Sequence, residues 1–147
     1  GVMDLERFLV AQNPVYLQVL RELNAGRKTT HWMWFIFPQH VGLGRSEMAK
    51  RYGLSGLDDA QAYAAHPVLG ARFQECTQAL LKHKGKTALQ ILGTPDDLKL
   101  HSCMTLFNEA LQGDCVFRTA LVQFFQSQPD EATLRLIGRE PSRLAPG

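Results

Sequence analysis

The chain has little cysteine and no long apolar run, and each shortage argues against a class of protein. Its 147 residues contain three cysteines, at wide spacing. An odd, scattered set argues against a disulfide framework and fits a reducing compartment, so we expect a cytoplasmic protein. No apolar run approaches the roughly 18 residues of a membrane span, and no signal peptide is visible. We therefore expect no membrane association.

Charge of one sign, internal repeats and low-complexity tracts are also scarce. The net charge is +2, which provides no strong field for nucleic acid, and we expect no nucleic-acid partner. The length fits one domain with a substantial core. We expect that domain to span residues 1–138 and to be followed by a loose tail over 139–147, where Pro141 and Pro146 follow Gly138.

Apolar residues recur at three-to-four spacing along almost the whole chain, which predicts helices throughout. The fold class is therefore expected to be all-α, a single multihelical domain with buried central helices. Residues from Leu98 to Leu111 are apolar on more than one face, which predicts one of those central helices. Other helix starts are marked by capping residues or by proline. They are Ser46 before 47–52, Asp58 before 59–65, Pro67 opening a helix through Leu81, and Thr94 with Pro95 in the first turn.

An aromatic run, Trp32 to Phe37, contains both tryptophans of the chain. It has two interpretations: a platform on which a ligand ring stacks, or a buried helix over His31 to Phe37 that ends at Pro38. The core helix is favoured, because large apolar side chains at this density are usually core. Polar groups at its ends, on His31 and Gln39, need partners if they are buried. A polar pocket beside the run would supply them.

The loop that follows, Gly42 to Ser46, also has two interpretations. Backbone N–H groups, the start of a helix and Arg45 are together suited to holding an anion. The alternative is a turn whose glycines adopt positive φ, followed by an ordinary serine cap. A lone Gly-x-Gly that neither follows a strand nor precedes a Lys-Ser/Thr pair favours the structural turn.

Signals for catalysis and for metal are weaker. His101, Ser102, Cys103 and Thr105 are neighbours in sequence, but adjacent helical residues point about 100° apart, and packing explains the small side chains. The five histidines lack ligand spacing. We therefore expect no metal site and no cofactor, and we assign no catalytic residue.

Several long segments look like the motifs of one family. They are Gly26–Gln39, Gly42–Ser46, His66–Arg72, Pro95–Leu100, Ser102–Phe107 and Asp130–Leu134. The chain resembles the bacterial domain-of-unknown-function family 1810 over Leu5 to Ile137. This resemblance implies a multihelical fold and no established activity. Some members carry the label "calpastatin", but calpain inhibitors are long, disordered and repetitive, whereas this chain is short, apolar and unrepeated.

A fainter likeness is to helical glycosidases acting on ADP-ribose and related nucleotides. It would draw on Gly44, Tyr63, Lys99 and the region of Asp130. The correspondence does not extend to individual residues, so it implies a reaction class without implying catalytic residues.

These observations give one leading hypothesis and two alternatives. The leading hypothesis is a polar pocket that binds a small anionic or nucleotide-like ligand. Its predicted lining residues are His31, Gln39, Gly42, Gly44, Arg45, Ser46, Lys99 and Ser102. The alternatives are a non-catalytic protein-interaction module and a hydrolase acting on a nucleotide-sugar bond. A pocket requires Lys28, Arg45 and Lys99 to converge with His31. The oligomeric state stays open.

Overall fold

Helices account for nearly all of the regular structure. A computed structural model describes residues 4–139, and within them lie ten α-helices and one short 3-10 turn. The helices are α1 Glu6–Gln12, α2 Tyr16–Ala25, α3 Met33–Ile36, α4 Glu47–Tyr52, α5 Leu57–Ala65, α6 Pro67–Leu81, α7 Ala88–Leu92, α8 Asp96–Leu111, α9 Val116–Phe125 and α10 Glu131–Leu136; the 3-10 turn is Val41–Leu43. The all-α prediction is confirmed.

Helix α8 is the centre of the fold. It packs against α5, α7, α9 and α10. Met104, Leu106 and Phe107 of α8 are all fully buried, although they point in different directions around the helix, so neighbouring elements surround it. The Phe107 ring packs between Tyr63 and Phe73, with ring centres 5.7 and 4.4 Å away. The predicted central helix is confirmed.

The aromatic run belongs to the core, but its helix is shorter than predicted. Trp32, Phe35 and Phe37 are buried, whereas Trp34 is half-buried. Helix α3 covers only Met33–Ile36. It cannot continue past Phe37, because the residue before a proline is disfavoured in helical conformation, and Phe37 has φ −124° and ψ 71°. At the other end, the chain ahead of Met33 is held in a turn by a buried carboxylate.

That carboxylate belongs to Glu22, in the last turns of α2, which is 4% exposed. Its Oε1 accepts the backbone N–H groups of Thr29 and Thr30, at 2.7 and 2.9 Å, and the Trp32 indole N–H at 3.0 Å. Its Oε2 accepts the Thr30 hydroxyl at 2.6 Å and the Gln18 amide at 2.9 Å. Burial by itself disfavours the charged form, but these hydrogen bonds outweigh it and lower the pKa of Glu22 to about 2.

Two predicted helix starts are wrong. Helix α5 begins at Leu57 with Gly56 at its N-cap; the carboxylate that engages the preceding loop is Asp59, which accepts the Ser55 N–H at 2.9 Å. Helix α8 begins at Asp96 and not at Pro95. The peptide bond from Thr94 to Pro95 is cis, and no side chain caps the helix. Ser46 and Pro67, in contrast, start α4 and α6 as predicted.

Residues 140–147 lie outside the described residues, so the division into a domain over 1–138 and a tail over 139–147 stays a prediction. None of the helices between residues 4 and 139 combines the length and the apolar character that crossing a membrane requires.

We predict that Glu22→Gln destabilises the fold in a pH-dependent way. The pKa of Glu22 is lower in the folded chain than the ordinary value of 4.5, so its carboxylate stabilises the fold above about pH 4.5 and loses that effect as pH falls toward 2. The substitution should lower the free energy of unfolding by roughly 2–4 kcal/mol at pH 7. Urea unfolding at several pH values measures the difference, which should shrink below pH 4.5. The exposed Glu6→Gln is the control; a Glu22→Gln deficit that is the same at all pH values would contradict the assignment.

Candidate functional site

Two depressions meet at Lys99 and Pro95, between the turn after α2, the loop before α4 and the start of α8. Their volumes are about 360 and 350 Å³, within the range of roughly 300–1,000 Å³ for small-molecule sites. We call them the Thr30 lobe and the Arg45 lobe, and together the Lys99 groove. Polar and aromatic side chains of the Thr30 lobe are Lys28, Thr29, Thr30, His31, Trp34, Thr94, Asp96 and Lys99. Those of the Arg45 lobe, with Gly44, are Gln39, Arg45, Ser46, Lys99, Ser102 and Asp130.

The structure brings all but one of the eight predicted pocket residues to this groove. His31 lines the Thr30 lobe, and Lys99 lines both lobes. The Arg45 lobe is lined by five more of the predicted residues: Gln39, Gly44, Arg45, Ser46 and Ser102. Lys28 and His31 line the Thr30 lobe with Lys99, and Arg45 lines the Arg45 lobe with Lys99. The four residues lie along one groove, but Arg45 and His31 are in different lobes.

Gly42 is the exception. Its N–H donates to His40 Nδ1 at 2.9 Å, and a Cβ on it would lie 2.9 Å from a methyl group of Leu136 in α10. The backbone donor is therefore already used inside the fold, and the glycine faces a packed helix. Burial lowers the pKa of the His40 ring, which keeps its Nδ1 available as an acceptor at neutral pH.

Lys28 fixes one wall of the Thr30 lobe against α8. Its backbone N–H donates to Ile91 O at 2.7 Å, and its ammonium contacts Asp96 Oδ2 at 2.9 Å and Thr30 O at 2.6 Å. The same ammonium lies 4.8 Å from the centre of the Trp32 ring. The side chain is 7% exposed. Its charge is thus largely compensated by protein groups.

Lys99 lies where the lobes meet and is held more loosely. Its ammonium is 3.8 Å from Asp96 Oδ1, longer than the Lys28 contact, and 4.8 Å from the centre of the Trp34 ring. The side chain is 22% exposed. A small apolar crevice of about 10 Å³ lies beside it, lined in part by Trp34 and Gln39. A partly exposed ammonium over an indole face is available to an incoming anion.

Backbone pairing and a close approach shape the Arg45 lobe. Val41 N–H donates to Leu54 O at 2.8 Å and Leu54 N–H to Gln39 O at 3.0 Å, which secures the loop to the end of α4. Gly44 has φ −121°, so positive φ does not explain it. A Cβ on Gly44 would instead overlap the Cβ of Ala49. The alternative prediction of a positive-φ turn is wrong at Gly44, where a glycine is required because any side chain would collide with Ala49.

The polar groups of the Arg45 lobe differ in how far they are already engaged. Ser46 Oγ accepts the Ala49 N–H at 3.1 Å and caps α4, as predicted. Asp130 Oδ2 accepts the N–H and hydroxyl of Thr133, at 3.0 and 2.6 Å, and the Ser102 hydroxyl at 3.4 Å. Arg45 is exposed and takes part in none of the ion pairs within residues 4–139. The guanidinium is therefore the more available charge.

Asp130 was not among the predicted pocket residues; only the likeness to helical glycosidases pointed to its region. Its only local signal is that of a helix cap, with Thr133 three residues later. Its side chain reaches the Arg45 lobe because its backbone N–H is tied to Thr105 Oγ1 of the central helix, at 2.9 Å. That hydrogen bond joins residues 25 positions apart, with α9 between them in the sequence, and no sequence pattern indicates it.

The neighbouring nucleophile candidates do not assemble into a catalytic set. The His101 ring stacks on Phe125 at 4.3 Å and its Nε2 contacts Gln128 O at 2.7 Å. Cys103 is fully buried, and burial raises its pKa well above the ordinary range. The Thr105 hydroxyl donates to the His101 carbonyl at 2.8 Å. Among residues 4–139, no three His, Cys, Asp or Glu side chains are placed to hold a metal ion.

Comparison with known proteins places the chain in a family. A family model described as "Protein of unknown function (DUF1810)" matches residues 2–137, so the chain belongs to this family, as the resemblance predicted. The crystal structure of the conserved hypothetical protein Rv1873 from Mycobacterium tuberculosis is similar, with 48% identity and a TM-score of 0.89 over 91% of this chain and 96% of that chain. No curated protein matches significantly. Neither description states an activity.

We predict that Gly44→Ala destabilises the fold by about 1–3 kcal/mol, because the new methyl group must displace Ala49 or the loop. Gly85→Ala is the matched control, since no atom lies within 4 Å of its Cβ position. Adding Ala49→Gly removes the opposing Cβ, so Gly44→Ala should cost less in that background. Urea unfolding of the wild type, Gly44→Ala, Ala49→Gly and the double variant measures the coupling free energy between positions 44 and 49. Equal costs in both backgrounds would show that this contact does not explain the glycine.

Proposed function

We propose that this member of the DUF1810 family binds a small anionic, nucleotide-like ligand in the Lys99 groove. The observation that carries the proposal is the position of Lys99, a partly exposed ammonium at the junction of two lobes of ligand size. The groove combines a few convergent polar groups with apolar and aromatic walls, which is the usual composition of a small-molecule site.

The charge balance of the groove supports an anion. The basic side chains that line it are Lys28, Arg45 and Lys99, against the carboxylates of Asp96 and Asp130. Lys28 is neutralised by Asp96 at 2.9 Å, and Asp130 is occupied as the cap of α10. Arg45 and Lys99 therefore remain as the cations that an anionic ligand would meet.

The aromatic surface supports a ligand that also carries a ring. Trp34 is half-buried and lines the Thr30 lobe, whereas Trp32 is 1% exposed and its indole N–H is bonded to Glu22. Of the two indoles, Trp34 is the one that lines the groove. Stacking of a base on an aromatic side chain contributes roughly 1–3 kcal/mol.

Hydrolysis of a nucleotide-sugar bond is a second candidate, favoured by one observation. Gly44, Lys99 and Asp130 all line the Arg45 lobe, which puts a carboxylate beside the cations. Tyr63, in contrast, is fully buried in the core and accepts a hydrogen bond from Gln12 at 3.1 Å. A hydrolase would therefore depend on Asp130 and not on Tyr63.

A non-catalytic interaction module is the third candidate. Leu98 lies at the rim of the Arg45 lobe and is 61% exposed. A single exposed leucine is common on protein surfaces, so this candidate needs a larger apolar patch around Leu98 than one side chain provides. The ligand titration below separates this candidate from the first two.

We predict that adenosine monophosphate, ADP-ribose or inorganic phosphate at millimolar concentration raises the melting temperature of the chain. A ligand at a hundredfold excess over its Kd stabilises by about 2.7 kcal/mol. Lys99→Gln should weaken binding about tenfold or more, while Lys84→Gln, an exposed lysine between α6 and α7, should not. Differential scanning fluorimetry and calorimetric titration measure both effects. No shift with any of the three ligands, with the protein folded, would favour the interaction module.

We predict that, if the groove is hydrolytic, incubation with ADP-ribose yields ribose-containing products that chromatography resolves. Asp130→Asn should abolish the reaction while keeping the helix cap, because asparagine caps helices about as well as aspartate. Binding without turnover would assign the groove to ligand binding alone. Turnover that Asp130→Asn leaves unchanged would remove Asp130 from the chemistry.

A further inference from the structure

We infer that the Lys99 groove has a fixed polarity: the Thr30 lobe takes the uncharged ring and hydroxyl groups of a nucleotide-type ligand, and the Arg45 lobe takes its phosphate, with Asp96 determining the orientation. This inference rests on the proposed binding function. It adds the division of the ligand between the two lobes and the residue that prevents the reverse orientation.

The Thr30 lobe is unsuited to a phosphate. Its innermost cation, Lys28, is 7% exposed and already contacts Asp96 Oδ2 at 2.9 Å and Thr30 O at 2.6 Å. The second oxygen of Asp96 is 3.8 Å from Lys99, too far for a full hydrogen bond. That oxygen repels a second anion and accepts an N–H or O–H group. The lobe therefore selects a donor-bearing, uncharged part of a ligand.

The same lobe supplies an aromatic surface. Trp34 and His31 both line it, and the indole is half-buried. A ring beside Trp34 lies near the Asp96 carboxylate, because both residues line this lobe and both contact Lys99, whose ammonium is 4.8 Å from the Trp34 ring centre and 3.8 Å from Asp96 Oδ1. An exocyclic amine or a sugar hydroxyl is the chemistry that meets both groups.

The Arg45 lobe offers donors and an available cation. Arg45 is in none of the ion pairs that the structure describes between residues 4 and 139. Ser46 Oγ is an acceptor in its cap, so its hydroxyl proton can be donated outward, and the Gln39 amide lies alongside. The carboxylate of Asp130 keeps its charge although its Oδ2 accepts hydrogen bonds from Thr133 and Ser102. The phosphate is therefore placed on the side of the lobe next to Arg45 and Lys99. This environment is suited to a phosphate.

Lys99 connects the lobes and places the phosphate next to the junction. Each lobe is about 350–360 Å³ in volume, so neither needs to hold the whole ligand. A ligand with a ring, a sugar and one phosphate spans the junction, with its phosphate between Lys99 and Arg45. Inorganic phosphate and adenosine, as the two halves of such a ligand, should then occupy different lobes.

Competition titrations on the wild-type chain with adenosine, inorganic phosphate and adenosine monophosphate test whether the ring and the phosphate occupy separate lobes; the substitutions below test which lobe holds each group. We expect adenosine and phosphate to bind together without displacing each other, and adenosine monophosphate to displace both. Displacement of adenosine by phosphate would overturn the polarity but leave ligand binding intact. No binding of adenosine monophosphate at millimolar concentration would overturn the polarity and the proposed function together.

Two substitutions test the assignment of residues. Arg45 is exposed, so Arg45→Gln should fold. It should raise the Kd for adenosine monophosphate at least tenfold and change the Kd for adenosine less than twofold. Asp96→Asn should raise the Kd for adenosine about tenfold and leave the Kd for phosphate unchanged or lower. Arg118→Gln, an exposed arginine on α9, is the control. Equal weakening of adenosine and adenosine monophosphate by Arg45→Gln would overturn the assignment, and that comparison decides even if Asp96→Asn unfolds.

Discussion

The buried carboxylate of Glu22 is the constraint on which the groove depends. A charge that is 4% exposed must be paired or fully hydrogen-bonded, and Glu22 is satisfied by donors from a turn that follows α2. The turn and the Trp32 indole are thereby held in one arrangement, since releasing any donor would leave a charge unsatisfied in the interior. The backbone that presents Lys28, His31 and Trp34 is fixed before any ligand arrives.

The two walls of the groove are fixed to the central helix by independent contacts. Lys28 connects the Glu22 turn to Asp96 at the start of α8, and Lys99 follows on the same helix. The opposite wall is held by the pairing of the 39–41 segment with Leu54 and by the close approach of Gly44 to Ala49. Each contact is internal to the fold. A ligand would therefore meet a site whose cations and indole are already placed, which lowers the entropic cost of binding.

Local features were predictable from the sequence, and long-range ones were not. Ser46 caps α4, Pro67 begins α6 and Gly26 ends α2 with φ +73°, because each depends on a few neighbouring residues. Gly44 has no room for a side chain because Ala49 lies against it, and Gly42 is similarly restricted by Leu136, which is 94 positions later in the sequence. Glu22 is a glutamate in an amphipathic helix and has no pattern that marks it as buried. Seven of the eight predicted pocket residues line the groove, but most of the residues that line it were not predicted. Asp130 joins it through a contact with Thr105 that no spacing shows.

The two tryptophans provide the most direct test, because one lies in the core beside Glu22 and the other lines the groove beside Lys99. Trp32 donates its indole N–H to Glu22 in the interior, and the Trp34 ring contacts the Lys99 ammonium. Indole N–H resonances in a ¹H–¹⁵N NMR titration with adenosine monophosphate report on both at once. The account predicts that the Trp34 signal shifts in a saturable way while the Trp32 signal stays in place. An unchanged Trp34 signal at millimolar ligand, or equal shifts of both signals, would contradict it.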